Sequence, residues 1–437
     1  MSTLTLFRNL LHWRTGERVT VAVEDGVIVP PPRRGHEHAR VLEAPGAVLA
    51  PGLVDLHVHL REPGQSAKES IETGTRAAAA GGFTSVACMP NTVPVVDSPA
   101  WVEWVKHRAA AAYARVLPIA AVTQGQNGEQ LAPLQAMARA GAVAFSDDGA
   151  PVASAAIMRR ALEYARNTGL PIVGHEEDPT LRADGVMNEG FTATRLGLRG
   201  IPNAAESVLC RRDADLAELT GARVHLAHLS TTQGFDALRD AKRRGLPVTG
   251  ETCPHYWTLT DEAVGDYDTL AKMNPPLRSE ADREACIAAI ADGTIDCFVT
   301  DHAPHTADEK ARPFAEAPFG IVGLETALAL TITFLVQPGH LSLARAIELW
   351  TDAPRRVFDL PEVDLEPGSE ADLVVFDPGG EWVVDPELFF SKGRNTPFAG
   401  WRLQGRVLAT MMGGRFTHLA PEIDFEHQLV LPAEAAR

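Results

Sequence analysis

The sequence LVDLHVH (53–59) sets the expected fold, because it is an apolar, strand-like run that ends in two histidines two positions apart. Seven further runs of this type follow it, namely FTSVACM (83–89), VLPIAAV (116–122), AVAFSDD (142–148), PIVGHEE (171–177), RVHLAHL (223–229), PVTGETC (247–253) and IDCFVTD (295–301). Helical patterns lie between the runs, at 66–80, 99–114, 153–168, 204–219, 233–244 and 280–292. Eight successive strand–helix units predict an α/β fold, a (β/α)8 barrel of the TIM type with strands buried on both faces.

The two ends of the chain differ from the middle and share a texture of short strands and turns. An Asp25-Gly26 pair within residues 1–50 is typical of a β-hairpin turn. Residues 366–437 show similar short apolar runs broken by Gly, Pro and Asp. We predict that residues 1–50 and 366–437 together form one small β domain beside a barrel over 51–365.

The charge and cysteine content of the 437 residues exclude several classes of function. The chain carries 40 Lys and Arg against 57 Asp and Glu, a formal net charge of −17, which argues against a binder of nucleic acid or of anionic membranes. Five scattered cysteines without a CxxC pair indicate buried, reduced thiols and a cytoplasmic protein. An open doubly wound sheet is the rival fold on pattern alone. The absence of an early GxGxxG and of GxxxxGK[ST] gives nucleotide binding little support.

Six residues with metal-binding side chains stand at the carboxyl ends of the predicted strands, the active-site face of a barrel. They are His57, His59, Asp148, His175, His228 and Asp301. Alternate residues of a strand point to one side, so the HxH pair offers two imidazoles to one ion. Asp147 and Asp148 compete for one role because adjacent strand residues face opposite ways. His225 is expected to point away from the site and to make a structural hydrogen bond.

Histidine and carboxylate ligands without a thiolate cluster suit zinc or a similar divalent ion. Two such ions, joined by one carboxylate and one hydroxide, would form a hydrolytic centre that acidifies water and polarises a carbonyl. Asp301, at the end of the last strand, is predicted to contact a metal and to take a proton from that hydroxide.

A set of nine motifs resembles the class I dihydroorotases of the amidohydrolase superfamily, in order and in spacing. The motifs are PGLVDLHVHLREPG (51–64), MPNT (89–92), FSDDG (145–149), GHEE (174–177), HLAHLST (225–231), ETCPHY (251–256), MNPPLR (273–278), TDHAPH (300–305) and PFGIVGLET (318–326). The tail ADLVVFDP (371–378) is similar to the β appendage of that superfamily.

This resemblance implies a role for individual residues. A first zinc is matched by His57, His59 and Asp301, a second by His175 and His228, with Asp148 as the bridging carboxylate. The substrate carboxylate is matched by Arg61, Asn91 and His305, and the pyrimidine ring by Asn274 and the backbone of Phe319 and Gly320. An Arg61 guanidinium also suits a carboxylate on chemical grounds, because it offers a bidentate fork. FSDDG contains no lysine, so the carboxylated lysine of the hydantoinases is not implied.

The resemblance implies reversible closure of N-carbamoyl-L-aspartate to dihydroorotate and water, a step of de novo pyrimidine synthesis. In the hydrolytic direction a metal-bound hydroxide attacks the ring carbonyl, and Asp301 passes its proton to the departing amide nitrogen. The open form carries one carboxylate more than the ring, so closure consumes a proton and low pH favours it.

Two other functions are alternatives to this prediction. A hydantoinase or an allantoinase is the rival enzyme, and Arg61 and the missing lysine argue against both. Non-catalytic support of aspartate transcarbamoylase is the rival class, and the complete ligand set argues against a purely structural role. Association with that enzyme and formation of a homodimer are two hypotheses about partners. A third hypothesis is that the long segment 302–320 acts as a lid.

Overall fold

All eight predicted barrel strands occur in the structure, a computed structural model that describes residues 4–32, 39–421 and 423. Those ranges contain eighteen strands: β1 (Thr5–His12), β2 (Arg18–Glu24), β3 (Val27–Val29), β4 (Arg40–Glu43), β5 (Val48–Pro51), β6 (Leu53–Val58), β7 (Phe83–Cys88), β8 (Arg115–Ala120), β9 (Ala144–Phe145), β10 (Ile172–Gly174), β11 (Met187–Asn188), β12 (Gly200–Ile201), β13 (Val224–Leu226), β14 (Val248–Thr252), β15 (Cys297–Phe298), β16 (Leu373–Val383), β17 (Arg402–Met412) and β18 (Arg415–Leu419).

The described ranges also contain fourteen α-helices: α1 (Ile71–Ala80), α2 (Pro99–Arg108), α3 (Leu134–Ala140), α4 (Ala155–Arg166), α5 (Pro179–Arg182), α6 (Phe191–Leu196), α7 (Asn203–Thr220), α8 (Thr232–Arg243), α9 (Pro254–Thr258), α10 (Glu280–Ala291), α11 (Ala307–Lys310), α12 (Ala327–Thr331), α13 (Leu343–Glu348) and α14 (Asp352–Phe358). Short 3₁₀ turns lie at Gln124–Gln126, Asp261–Val264, Thr269–Ala271 and Pro386–Leu388, and a π turn at Ile332–Val336. None of these helices is long and apolar enough to cross a membrane.

The barrel is one parallel sheet in the order β15-β14-β13-β10-β9-β8-β7-β6. Its two ends meet where Val58 of β6 forms a parallel bridge with His302, four residues after β15. Every residue of β6 is buried, as expected for a strand covered on both faces. The prediction of a (β/α)8 barrel is therefore confirmed.

The helices pack their apolar stripes on the outside of this sheet, and their starts follow local capping signals. In α4, Ser154 accepts a hydrogen bond at its side chain from the backbone N–H of Ile157, which satisfies a free donor of the first turn. The same helix buries residues at helical spacing, namely Met158, Ala161, Leu162 and Ala165. The first predicted helix begins at Ile71 rather than at 66, because Ser70 and Thr73 form a capping box there.

The second sheet joins the two ends of the chain. Its strand order is β18-β17-β16-β5-β1-β2-β3, with β4 paired to β1. The two chain ends meet where β5 runs antiparallel to β16. Asp25 and Gly26 have φ of +49° and +84° and close the predicted hairpin between β2 and β3. A small β domain built from both ends is thus confirmed. Its exact limits stay a prediction, and residues 1–3 and 424–437 lie outside the described ranges.

Several barrel strands are shorter than predicted, and this places the ligand candidates just beyond them. Strand β13 ends at Leu226 and β15 at Phe298, whereas His228 and Asp301 lie two and three residues further on. His228 has φ of +34° and Asp301 has φ of +48°. A backbone in the left-handed region cannot continue a β-ladder, so these strands end before the side chains that the sequence assigns to their tips.

Candidate metal centre and substrate site

The first predicted metal triad is assembled at the barrel mouth. Nε2 of His59 lies 3.1 Å from Oδ1 of Asp301, and Nε2 of His57 lies 3.6 Å from the same oxygen. The two imidazole rings are 5.5 Å apart between centroids. The facing ligand atoms of these three buried residues all lie within 4.8 Å of one another, close enough for one ion to contact all three.

Asp148 occupies the centre of the remaining predicted ligands. Its Oδ1 lies 3.4 Å from Nε2 of His57, 3.4 Å from Nδ1 of His175 and 3.8 Å from Nε2 of His228. Its Oδ2 lies 3.6 Å from Nε2 of His59. One carboxylate thus faces four imidazoles, so Asp148 is a candidate ligand of any metal ion bound among them. The rings of His175 and His228 also contact each other directly, with Nδ1 to Nε2 at 2.9 Å.

The two adjacent aspartates, Asp147 and Asp148, differ in their hydrogen-bond partners. Asp147 turns away from the histidines and accepts hydrogen bonds from the backbone N–H groups of Val122 and Thr123, at 2.8 and 3.1 Å, and from the Thr123 hydroxyl. Asp147 therefore fixes the end of β8, while Asp148 faces the candidate metal centre.

The donor set fits divalent metal ions. Nε2 of His57 and Nδ1 of His228 are buried and have no hydrogen-bond partner among the described residues, so each has a lone pair or a proton without a protein partner. Burial alone would raise the pKa of Asp301, but the hydrogen bond from His59 and the positive potential of His57 lower it to about 2. Burial likewise opposes ionisation of Asp148, yet the surrounding imidazoles hold its pKa well below the usual range. Two ionised carboxylates amid imidazoles suit zinc-like ions.

A buried hydrogen-bond chain behind His57 was not found by the sequence reasoning. His57 donates from Nδ1 to Oε1 of Glu251 at 3.0 Å, and His225 donates from Nε2 to the other oxygen at 2.9 Å. The hydroxyl of Thr249 lies 2.7 Å from Nδ1 of His225. The structural hydrogen bond expected for His225 is therefore present, and it reaches the candidate metal centre through Glu251. The sequence contained one signal for this chain, because Glu251 is a charged residue within a strand that was predicted to be buried on both faces.

A second buried carboxylate joins the first and last barrel strands. Asp55 accepts from the backbone N–H of His57 at 3.0 Å and from the hydroxyl of Thr300 at 2.6 Å. Burial raises the pKa of Asp55 to about 7 in spite of these bonds. Asp55 thus holds the backbone of the HxH pair against the segment that carries Asp301.

The residues predicted to bind the substrate carboxylate meet beside the metal centre. Arg61 is only 8% exposed, donates from Nε to the carbonyl of Pro304 at 3.2 Å, and places Nη2 3.4 Å from Nε2 of His305. His305 donates from Nε2 to the carbonyl of Phe319 at 2.7 Å. Asn91 lies between His59 and Asp148, and its contact with the substrate stays a prediction. It accepts from Nδ1 of His59 at 2.9 Å and donates to Oδ2 of Asp148 at 3.0 Å.

Asn274 and Gly320 complete the predicted set. Asn274 donates to Oε2 of Glu177 at 3.1 Å, while its own Oδ1 is buried without a partner among the described residues. An unpartnered amide oxygen can accept a hydrogen bond from a bound ligand. Gly320 has φ of +126°, and a Cβ there would stand 2.7 Å from the side chain of Ala303, so the close approach of this backbone needs glycine.

Comparison with known proteins agrees with this geometry. A family model described as dihydro-orotase-like matches residues 46–234. The dihydroorotase of Desulforapulum autotrophicum is 55% identical over 378 residues, which cover 86% of this chain and 88% of the relative. The dihydroorotase of Anaeromyxobacter dehalogenans is 53% identical over 410 residues, which cover 93% and 94%.

This chain belongs to the dihydroorotase family. The prediction of a hydrolase that acts on a cyclic amide is confirmed with that membership. The solved structure of the L-hydantoinase (dihydropyrimidinase) from Arthrobacter aurescens matches with a TM-score of 0.85 at 25% identity. The match covers 95% of this chain and 96% of the hydantoinase, so the similarity includes both the barrel and the small sheet.

Proposed function

We propose that this protein is a dihydroorotase, which interconverts N-carbamoyl-L-aspartate and (S)-dihydroorotate in de novo pyrimidine synthesis. The observation that carries this proposal is the buried Arg61–His305 pair beside the cluster of His57, His59 and Asp301. A carboxylate bound at Arg61 would direct the attached ring towards that cluster. Relatives that are 53–55% identical over most of their length are dihydroorotases.

We assign two zinc ions to the cluster, the first to His57, His59 and Asp301 and the second to His175 and His228, with Asp148 between them. Bound there, the ions would lower the pKa of a water molecule and polarise a carbonyl. The protein's own groups would do the rest. The Glu251 and Asp55 carboxylates keep the HxH pair in place, and Asn91 links His59 to Asp148.

Asp301 is the proposed general base and acid. In ring opening, its carboxylate takes a proton from the attacking water, the bond from the ring carbonyl carbon to nitrogen breaks, and the proton goes to that nitrogen. Ring closure runs the same steps backwards and releases water. The low pKa of Asp301, about 2, keeps its carboxylate ionised at neutral pH, which is the form that a proton acceptor requires.

Substrate recognition is assigned to groups around the cluster. Arg61 binds the ring carboxylate through charge-assisted hydrogen bonds, which are about twice as strong as neutral ones. Asn274 accepts from a ring N–H at its free Oδ1. Lys68 lies 3.4 Å from Nδ1 of His305 but is paired with Glu309 at 2.9 Å, so Arg61, which has no ion pair within the described ranges, supplies the local positive charge in a chain of net charge −17. Local cations of this kind favour an anionic substrate in spite of the overall charge.

The test is the loss of dihydroorotate absorbance on adding the purified chain. We expect turnover that a chelator abolishes and that zinc restores, and elemental analysis should give two zinc ions per chain. No turnover by the zinc-loaded chain, alone or with aspartate transcarbamoylase, would reject the proposed activity. Co-elution with that enzyme, and the oligomeric state, would test the two partner hypotheses, which stay predictions together with the cytoplasmic location.

A hydantoinase is the second candidate, favoured by the fold match to the Arthrobacter aurescens enzyme. Its substrates lack the carboxylate for which Arg61 is placed, and Asp148 stands where a carboxylated lysine would be required. Rates on dihydroorotate, hydantoin and allantoin under one condition decide between the two. The dihydroorotase proposal requires dihydroorotate to be preferred over both.

A further inference from the structure

Residues 314–320, here called the cradled segment, are held by the side-chain ammonium groups of two buried lysines. Lys272 is 2% exposed and donates from Nζ to the carbonyls of Phe314 at 2.6 Å, Ala317 at 2.6 Å and Ala315 at 3.2 Å. An ammonium group has three N–H donors. Lys272 therefore uses its full donor capacity on one stretch of backbone.

Lys310 holds the other half of the same segment. It is 5% exposed and donates from Nζ to the carbonyls of Pro318 and Gly320, both at 3.0 Å, and to the carbonyl of Lys272 at 3.2 Å. The carbonyls of residues 318 and 320 thus point to Lys310. The carbonyl between them, that of Phe319, faces the opposite way and accepts from Nε2 of His305.

This alternation links Lys310 to the anion site. Lys310 holds the carbonyls of Pro318 and Gly320, and His305 holds the carbonyl of Phe319 between them, so Lys310 restrains the two peptide groups that flank the His305 acceptor. That carbonyl accepts from Nε2 of His305 and so sets the tautomer and plane of its ring, with Lys68 donating to Nδ1. The same ring borders Nη2 of Arg61 at 3.4 Å.

Neither lysine is placed to stabilise the fold through charge pairing. Within the described ranges, no carboxylate oxygen lies within 4.0 Å of either Nζ. Burial, reinforced by Arg182, lowers the pKa of Lys272 to about 8, and burial, reinforced by Lys272, lowers that of Lys310 to about 7. Both side chains are therefore held by hydrogen bonds to backbone carbonyls and not by ion pairs, which places them to fix the geometry of the cradled segment.

We propose that Lys310 is a positioning residue for substrate recognition, which acts through the Phe319 carbonyl on His305 and keeps the anion site beside Arg61 in shape. Lys272 anchors the first half of the cradled segment for the same purpose. This inference rests on the proposed function, since it takes the Arg61–His305 pair as the carboxylate site. It assigns both lysines to substrate affinity and neither to the chemical step.

The test is a double-mutant cycle between Lys310→Met and His305→Gln, read as KM and kcat for dihydroorotate. Without Lys310 the Phe319 carbonyl no longer holds the His305 ring beside Arg61, so we expect Lys310→Met to raise KM about tenfold. Bound metal should be unchanged and kcat should stay within about threefold. In the His305→Gln background the same substitution should have little further effect, because residues that act through one another are not additive.

Two further variants act as controls. Lys310→Arg restores a cation at this position and should recover part of the affinity. Lys242→Met is a remote control, because Lys242 at the end of α8 also donates to backbone carbonyls, those of Gly293 and Thr294, although it is ion-paired with Asp296 as well. It should leave KM unchanged. If Lys310→Met does not fold, the cycle is run with Lys310→Gln, which removes the cation but keeps a polar side chain.

The outcomes separate this inference from the proposed function. Full additivity in the cycle, or a fall in kcat and bound metal in place of a rise in KM, would overturn the positioning role while the wild type still turns over dihydroorotate. If the wild type has no such turnover, the proposed function fails. In that case amide hydrogen exchange still tests whether Lys310 holds the cradled segment in place. The amides of that segment must lose protection in Lys310→Met and keep it in Lys242→Met.

Discussion

Nδ1 of His57 lies 3.0 Å from Oε1 of Glu251, and both side chains are fully buried. The carboxylate accepts this proton and so leaves Nε2 of His57 as the nitrogen that faces Asp148 and Asp301. Nε2 has no hydrogen-bond partner among the described residues. In the neutral imidazole this hydrogen bond therefore selects the tautomer whose Nε2 carries the lone pair that a metal ion requires.

The substitution Glu251→Gln should weaken metal binding. A glutamine oxygen can accept from one imidazole, but its amide then presents N–H groups to the other, so the chain from His225 to His57 is broken. Removal of a carboxylate that hydrogen-bonds to a metal-binding histidine typically lowers metal affinity by about 10- to 100-fold. Competition against a chromophoric chelator measures the change. Glu69→Gln is the matched control, because Glu69 is another buried carboxylate beside a histidine, His302, outside the predicted ligand set. Equal losses in both variants would mean a general effect on folding.

Asp301→Asn should keep the fold and lose turnover in both directions. An amide cannot take the proton that the carboxylate accepts, and general acid–base groups contribute about 10²–10⁴-fold to rate. We expect kcat to fall by at least about 100-fold, measured with bound metal determined on the same sample. Asp147→Asn is the control, since the side chain of Asp147 is equally buried but, among the described residues, bonds only to Val122 and Thr123. Near-normal turnover by Asp301→Asn would remove it from the proton-transfer role.

Arg61→Met should impair the use of dihydroorotate selectively. The loss of a charge-assisted contact of about 1.5–3 kcal/mol corresponds to a rise in KM of about 10- to 150-fold. Any residual hydrolysis of hydantoin, which carries no carboxylate, should not change. Steady-state kinetics on both compounds measure the ratio. A parallel loss on both would show that Arg61 supports the barrel rim rather than the substrate.

The positions of the predicted ligands followed from the sequence because parallel strands in a barrel present their carboxyl ends on one face. Six residues scattered from 57 to 301 could therefore be assigned to one place. The choice of Asp148 over Asp147 depended on the family resemblance and not on spacing, since adjacent residues differ only in the direction they face. The structure adds the reason, because the end of β8 already provides Asp147 with three donors.

The supporting residues could not be predicted, and the physical reason differs between them. Glu251 stands 194 positions from His57, and no local pattern states which imidazole it faces. Lys272 and Lys310 bind backbone carbonyls, which every residue has, so their partners leave no signature in the sequence. The hydrogen bonds of the Asn91 amide to His59 and Asp148 also have no sequence signature, and its contact with the substrate stays a prediction.

The pH dependence of stability should contain a contribution from Glu325. Burial raises the pKa of its carboxyl to about 7, against the hydrogen bonds donated by the backbone of Phe390 and Ser391. Between the ordinary value of 4.5 and about 7 the folded state holds the proton more tightly than the unfolded state. This contribution to stability is therefore complete below pH 4.5 and is lost as the pH rises through 7.

Glu325→Gln removes this titration. Above pH 7 the variant should be more stable than the wild type by at most about 3 kcal/mol, and the difference should shrink as the pH falls to 5. Chemical denaturation at pH 5, 6, 7 and 8 measures it, with the exposed Glu362→Gln as control. A difference that does not vary with pH would show that the two backbone donors, and not the proton, decide the effect. In that case the glutamine would have replaced the carboxylate as an acceptor and the carboxyl would be ionised throughout.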